Sequence, residues 1–216
     1  MADHPRNPVS PEDSAPGRRP RNARGEGDRL REEILQAMLR LIADDTRMGV
    51  VPLSLREVAR EAGVTAPAIY LHFADKDELS RTAVGMLYEQ LIGEMDRANE
   101  TSDGLTPARR LAELAHAYCR FAENNPPSFR VMFAARDRHP DETGRLAERW
   151  RAAVARLAET GMRTTQSPEA AAVLVWSAVH GRLLLEGSSG QVWQLGGVHD
   201  FVEELTRSLA TVESPR

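Results

Sequence analysis

Residues 54–79 read SLREVAREAGVTAPAIYLHFADKDEL, and this stretch decides the fold of the N-terminal part of the chain. Ser54 followed three residues later by Glu57 is the pattern of a capping box, which begins a helix. Gly63 then permits a backbone turn that residues with a side chain resist. Pro67 suits the first turn of a second helix, where its missing N–H does no harm. The stretch therefore predicts two short helices joined by a tight turn, which is the helix-turn-helix arrangement.

The second short helix is predicted to span residues 66–72, about 10 Å at the usual rise per residue. That length fits a DNA major groove, which is about 12 Å wide. Its outward side has no acidic residue, and a carboxylate there would be pushed against phosphates. Tyr70 and His72 can donate to phosphate oxygens, while Phe73 is expected in the core. Lys76, in the first turn of the following helix, would hold a phosphate together with that helix terminus. The alternative is a helical hairpin that simply packs its aromatic end.

This stretch resembles the DNA-binding half of the TetR family of transcriptional regulators. The Gly-Val pair at 63–64, the YLHF sequence at 70–73 and Lys76 coincide with the family's pattern, over roughly residues 28–87. The resemblance implies a homodimer that places one short helix of each subunit into a major groove of a palindromic DNA operator. The residues to which it assigns DNA contact are Ser54, Arg56, Thr65, Ala66, Pro67, Ala68, Tyr70, His72 and Lys76.

The C-terminal half resembles the Trp-His-Gly type of TetR C-terminal domain. The segments on which this resemblance rests are VWSAVHGRLLLEG at 175–187 and NPPSFRVMF at 125–133. Trp176 and His180 are four residues apart and should share one helix face. The alternative for these two is a hydrogen-bonded core pair. Gly181 is expected to let a neighbouring helix approach closely.

In this family the last two long helices usually form the dimer interface, which implies residues of about 168–187 and 198–213 here. The first of them is apolar nearly all round, as a helix buried on both sides would be. The effector pocket would then lie among the other C-terminal helices. The candidate pocket residues are mostly aromatic: Tyr118, Phe121, Phe129, Met132, Phe133, Trp150, Trp176 and His180. As a group they favour a small, largely apolar or aromatic effector, although each alone could be ordinary core.

Helical periodicity without strand alternation predicts an all-α chain of about nine helices. We expect a helix-turn-helix DNA-binding domain at 27–87 and a larger ligand-binding and dimerisation domain at 104–213. Residues 1–26 are rich in Pro, Arg and Gly and are expected to be disordered; their arginines are either solvated or reach a minor groove. Asp75 with Glu78 predicts a second capping box, at the start of a long helix.

Near the C-terminus, a helix is predicted over about 171–186. A glycine-rich loop is then predicted at 187–197, before the last helix.

The 216-residue chain has a net charge of −4, so its overall charge does not itself indicate a nucleic-acid partner. A local positive surface can coexist with an acidic remainder. The single cysteine, Cys119, excludes an internal disulfide and any multi-cysteine metal site, and is expected in the core. No apolar run approaches the roughly 20 residues that span a bilayer, and no signal-type segment is present. We therefore expect a cytoplasmic protein without metal or cofactor.

The sequence thus predicts a ligand-responsive DNA-binding regulator, most readily a repressor that an effector releases from its operator. One alternative is a helical scaffold without sequence-specific DNA binding. A less favoured alternative is an enzyme, for which His116, His180, His199 and Cys119 are available. Their spacing suggests no arrangement of nucleophile, base and acid, so no catalytic residue is assigned.

Overall fold

The computed structural model describes residues 26–44, 53–134, 139–160, 167–193 and 196–210, which form nine α-helices and no strand. This confirms the all-α prediction. The helices are α1 (Glu26–Ala43), α2 (Leu55–Ala62), α3 (Ala66–Ile69), α4 (Lys76–Glu100), α5 (Pro107–Asn124), α6 (Pro126–Ala134), α7 (Pro140–Glu159), α8 (Pro168–Trp193) and α9 (Val198–Leu209). None of these helices is long and apolar enough to cross a membrane. The predicted disordered tail lies outside the described residues, apart from the first residue of α1.

The capping box at the start of α2 is confirmed. The Ser54 hydroxyl accepts a hydrogen bond from the Glu57 amide at 3.3 Å, and the Glu57 carboxylate accepts one from the Ser54 amide at 2.8 Å. Gly63 ends the helix with φ +67°, in the left-handed region that a side chain disfavours. Local signals alone therefore define the first helix and the turn after it.

The second short helix is shorter than the predicted span of 66–72. After Ile69 the backbone forms a tighter turn, in which the amides of His72 and Phe73 both donate to the Ile69 carbonyl, at 2.9 and 3.0 Å. Such tightening is common where a helix ends. Tyr70, Leu71 and His72 therefore lie in a turn just beyond α3 and project from the end of the helix-turn-helix.

The second predicted capping box forms only in part. The Asp75 carboxylate accepts from the Glu78 amide at 2.7 Å, as predicted. The Glu78 carboxylate, however, accepts from the Ala74 amide at 2.6 Å rather than from Asp75. Because Asp75 still caps the helix, the start of α4 is where the sequence placed it.

Helix α4 joins the two halves of the molecule. Its buried residues run from Leu79 to Met95, and it packs against α1, α5, α6 and α7. A bidentate ion pair between Arg149 of α7 and Asp96 of α4, at 3.0 and 2.8 Å, adds to this packing. The buried apolar residues accordingly form one cluster, from Ile34 to Val202. Helix α4 continues into the segment of sequence that separates the two predicted domains.

One expectation about α8 is wrong. The predicted loop at 187–197 is helical as far as Trp193, because extending an existing helix adds a backbone hydrogen bond for each residue fixed. A glycine costs such a helix only about 1 kcal/mol. At Gly181, a Cβ atom would meet nothing within 4 Å among the residues that the structure describes, so no described helix of the same chain approaches it closely.

Candidate functional site

The end of the helix-turn-helix forms an exposed face without carboxylates. Residues 63–73 contain no acidic residue. Tyr70 is 57% exposed and Leu71 81%, although both are large side chains with apolar surface. Below them, Ile69 and Phe73 are buried in the core. The turn after α3 thus anchors two side chains and presents two others to solvent.

The residues predicted to contact DNA are all exposed or half-buried. The exposed ones are Ser54, Arg56, Thr65, Pro67 and Tyr70, and the half-buried ones are Ala66, Ala68, His72 and Lys76. In the described part of the chain, no hydrogen bond or ion pair engages the side chains of Arg56, Tyr70, His72 and Lys76. Their donors remain available for a partner.

The hydroxyls of Ser54 and Thr65 differ in their contacts within the chain. The Ser54 hydroxyl also donates to the Glu57 carboxylate at 2.7 Å, so a DNA contact by this hydroxyl would compete with the helix cap. Thr65 occupies the N-cap position of α3, but its side chain makes no capping hydrogen bond. Its hydroxyl is therefore uncommitted.

The helix-turn-helix is fixed to α1 by charged side chains. The Arg31 guanidinium lies 4.8 Å from the centre of the Phe73 ring, within cation–π range. Arg40 of α1 pairs with Glu61 of α2 at 2.7 Å. These contacts orient the exposed face relative to the rest of the molecule.

Most of the predicted pocket residues meet in one aromatic cluster. The centre is Tyr118, whose ring centroid lies 5.4 to 6.4 Å from those of Phe129, Phe133, Trp150 and His180. Phe121 is buried but makes no ring contact in the described part of the chain. The aromatic cluster therefore unites residues of α5, α6, α7 and α8.

Trp176 and His180 meet at the Tyr118 hydroxyl rather than at each other. The Trp176 indole N–H donates to Tyr118 Oη at 3.1 Å, and Oη lies 2.8 Å from His180 Nδ1. This contact is a hydrogen bond in either neutral tautomer of the imidazole, because a phenol both donates and accepts. Burial lowers the pKa of His180 and raises the pKa of Tyr118 well above its usual range, so both groups are neutral near pH 7.

A cavity of about 440 Å³ lies next to the aromatic cluster. Of the predicted pocket residues, Met132 and Phe133 line it. The other lining residues were not predicted from the sequence; they are Tyr88, His139, Pro140, Thr143, Gly144 and Ala147. Largely apolar walls with a few polar groups are typical of small-molecule sites.

Helices α6 and α1 connect the cavity to the helix-turn-helix, because α6 packs against α1 and α1 packs against α2. Met132 and Phe133 belong to α6, and the Tyr88 hydroxyl of α4 donates to the Met132 carbonyl at 3.0 Å. Helix α6 also packs against α1. A change in the cavity that moves α6 would therefore act on α1 through this contact.

Cys119, the free cysteine of the chain, is buried. Burial raises the pKa of Cys119 to about 12, so its thiol stays protonated and is a poor nucleophile. The indole N–H of Trp150 is buried without a hydrogen-bond partner. No group of three or more His, Cys, Asp or Glu side chains there could hold a metal ion.

Two protein families match this chain. Residues 34–82 match the family described as bacterial regulatory proteins, tetR family. Residues 111–209 match the family described as tetracyclin repressor-like, C-terminal domain. The first match covers the helix-turn-helix, and the second covers α5 to α9 with the aromatic cluster.

Solved structures of similar fold cover most of the chain. A protein of unknown function from Rhodococcus sp. RHA1 is 24% identical, with a TM-score of 0.69 over 84% of this chain and 96% of that one. SmeT, the repressor of the Stenotrophomonas maltophilia multidrug efflux pump SmeDEF, is 22% identical, with a TM-score of 0.64 over 86% and 96%. FadR from Bacillus subtilis, solved with stearoyl-CoA, is 15% identical, with a TM-score of 0.66 over 84% and 99%. At these identities the likeness concerns the fold.

Proposed function

Because the chain belongs to the TetR family of DNA-binding transcriptional regulators, we propose that it is a repressor released from its operator by a small, largely apolar or aromatic effector. A homodimer would bind a palindromic operator, and it would act in the cytoplasm, with the chromosome. The observation that carries the proposal is the exposed, acid-free end of the helix-turn-helix with the free donors of Tyr70, His72 and Lys76. A face of this kind suits a phosphate backbone.

Phosphate contacts and base contacts fall to different residues in this proposal. Lys76 and the N-terminus of the 25-residue helix α4 would hold a phosphate and set the register of the protein on the duplex. Ala66, Pro67 and Ala68 offer no side-chain hydrogen bond to a base. Base reading would therefore rest on apolar contacts with thymine methyl groups and on DNA shape.

The effector would bind in the cavity between α4, α6 and α7. Met132 and Phe133 of α6 line this cavity, and α6 packs against α1, so an effector that favours one position of α6 would bias the position of the helix-turn-helix. Stearoyl-CoA, bound by the similarly folded FadR, has a long apolar part. That is in keeping with the apolar walls of this cavity.

Dimerisation would use the outer face of α8 together with α9. Val173, Leu174, Leu184 and Leu185 are between 46 and 61% exposed on α8. A second copy of the chain that covers them would remove this apolar surface from water. In this proposal the DNA-binding unit is residues 27–87, the ligand-binding and dimerisation unit is 104–213, and α4 is shared.

We also propose that the C-terminal half is of the Trp-His-Gly type. The meeting of Trp176 and His180 at one hydroxyl supports a joint role for these two residues. Gly181 adds no support, since it has open space around it within the chain.

The test is an in-vitro selection from random duplexes with the purified full chain at near-physiological salt. A recovered palindrome with half-sites about 34 Å apart, or a multiple of that, would support a dimeric regulator. Because a bound effector could hold the protein off DNA, the selection is repeated after unfolding and refolding without ligand. No enriched sequence in either experiment would contradict the proposal.

A further inference from the structure

Two histidines face each other between α5 and α9, away from the cavity. Nδ1 of His116 lies 2.7 Å from Nδ1 of His199. The two ring centroids are 4.9 Å apart. The His116 side chain is 11% exposed and the His199 side chain 40%. The two nitrogens are therefore at hydrogen-bond distance in a partly buried helix contact.

The other nitrogen of each ring points at a carboxylate. His116 Nε2 lies 3.0 Å from Glu203 Oε1, and His199 Nε2 lies 3.0 Å from Glu123 Oε2. An ionised carboxylate only accepts hydrogen bonds, so both Nε2 atoms carry a proton. The hydrogen bond from His116 and the charge of Arg109 lower the pKa of Glu203, which keeps that carboxylate ionised.

This arrangement leaves no N–H for the Nδ1–Nδ1 contact if both rings are neutral. A neutral imidazole has one N–H, which each ring already uses at Nε2. Two lone pairs would then face each other at 2.7 Å. We propose that His116 and His199 hold one additional proton between their Nδ1 atoms and form a singly charged pair that clamps α9 to α5. The proton comes from solvent, bonds to one Nδ1 and is donated to the lone pair of the other, so no other bond is broken.

The distance between the two Nδ1 atoms fits a shared proton and not a shared metal ion. Zinc binds imidazole nitrogen at 2.0 to 2.1 Å, which puts two tetrahedral nitrogen ligands about 3.3 Å apart. The observed 2.7 Å is too short for that geometry and is within hydrogen-bond distance. The described residues also supply no third ligand, because each carboxylate lies on the far side of its ring.

The surrounding charges are otherwise matched. On α5, Arg109 binds Glu203 through two contacts of 2.9 Å and lies 3.5 Å from Glu113. On α8, Arg182 lies 3.7 Å from Glu186 and donates to the Gly196 carbonyl at the entry to α9. Of the two carboxylates that face the pair directly, Glu203 is shared with Arg109, whereas Glu123 pairs with His199 alone among the described residues. The bridging proton therefore supplies a counter-charge for Glu123.

The test replaces the shared proton by a permanent donor. In His199→Asn, the amide nitrogen can occupy the position of Nδ1 and donate to His116 Nδ1 at any pH. His199→Asn therefore serves as the control that keeps a donor at this contact without the additional proton.

Two measurements on the wild type and this variant identify the cation. With ¹⁵N-labelled histidine at pH 7, we expect a scalar coupling across the hydrogen bond between the two Nδ1 atoms, absent from His199→Asn. Two uncoupled Nδ1 atoms would contradict a bridging proton. One equivalent of Zn²⁺ should leave the Tm unchanged, whereas a rise confined to the wild type would make this a metal site. None of these readouts requires DNA, so they succeed or fail independently of the repressor proposal.

Discussion

The Tyr118 hydroxyl lies 2.8 Å from Nδ1 of His180 and accepts the indole N–H of Trp176 at 3.1 Å. These two hydrogen bonds join α5 to α8 inside the aromatic cluster. Burial lowers the pKa of His180, so the cluster favours the neutral imidazole. The cluster therefore links the stability of the C-terminal half to pH.

We expect His180 to destabilise the protein in acid. Burial lowers its pKa, so below about pH 6.5 the unfolded chain binds a proton that the folded chain does not. Stability is then lost as the pH falls, at a rate of at most about 1.4 kcal/mol per pH unit. In His180→Asn, the amide oxygen can accept the Tyr118 proton without titrating. Urea unfolding from pH 7.5 to 5 should show a smaller acid loss in this variant; identical slopes would contradict the assignment.

Ser54 and Thr65 provide a matched pair of N-cap substitutions. Ser54→Ala removes a capping box and should lower the free energy of unfolding by about 1 kcal/mol. Thr65→Ala removes a side chain that makes no capping bond, so its effect should stay within about 0.5 kcal/mol. Urea unfolding curves of the two variants check this. Equal losses would mean that the Ser54 box does not stabilise α2 as described.

Gly144 lines the cavity, and a Cβ atom there would meet nothing within 4 Å. A leucine at this position would extend into the space that an apolar ligand needs. Anilinonaphthalene sulfonate serves as an aromatic probe, and we expect Gly144→Leu to bind it about tenfold more weakly, a loss of about 1.4 kcal/mol. Gly144→Ala gains the same helix propensity and should bind like the wild type. If both variants bind the probe equally, it does not occupy this cavity.

Leu174 is 56% exposed on α8, and Leu105 is 41% exposed in the turn before α5. A glutamate at position 174 would put two carboxylates into the proposed dimer interface and remove two buried leucines. Since each buried leucine contributes about 1.5 to 3 kcal/mol, Leu174→Glu should raise the dimer dissociation constant roughly 100-fold or more. Leu105→Glu should leave it unchanged. Sedimentation analysis over a concentration series measures the dissociation constant of the dimer. A Leu174→Glu variant that is as dimeric as the wild type would exclude this face of α8 as the dimer interface.

The helix-turn-helix was predictable because its signals are local. Ser54 and Glu57 are three residues apart, and Gly63 needs only its own backbone angle. The exact end of α3 was missed, since the turn at Tyr70 depends on amides that return to Ile69. The end of α8 was missed because the glycines that suggested a loop do not interrupt a helix that is already formed.

The polar contacts of the C-terminal half could not be predicted, because their partners are distant in sequence. Tyr118 and His180 are 62 positions apart, and His116 and His199 are 83. Of the residues that line the cavity, only Met132 and Phe133 were among the predicted pocket residues, because Tyr88 and Thr143 reach it from α4 and α7, which are distant in sequence from α6. Periodicity places a residue on a helix face, whereas the choice of neighbouring helix sets its partner.

The most direct test of the account is the affinity of the selected operator for Lys76→Gln and Arg97→Gln, measured over a series of salt concentrations. The two positions mark opposite ends of α4. Loss of a phosphate contact should weaken binding by Lys76→Gln at every operator sequence and reduce the slope of log affinity against log salt by about 1. Arg97→Gln should match the wild type. If Lys76→Gln kept both the affinity and the slope, the helix-turn-helix face would not be the surface that binds DNA.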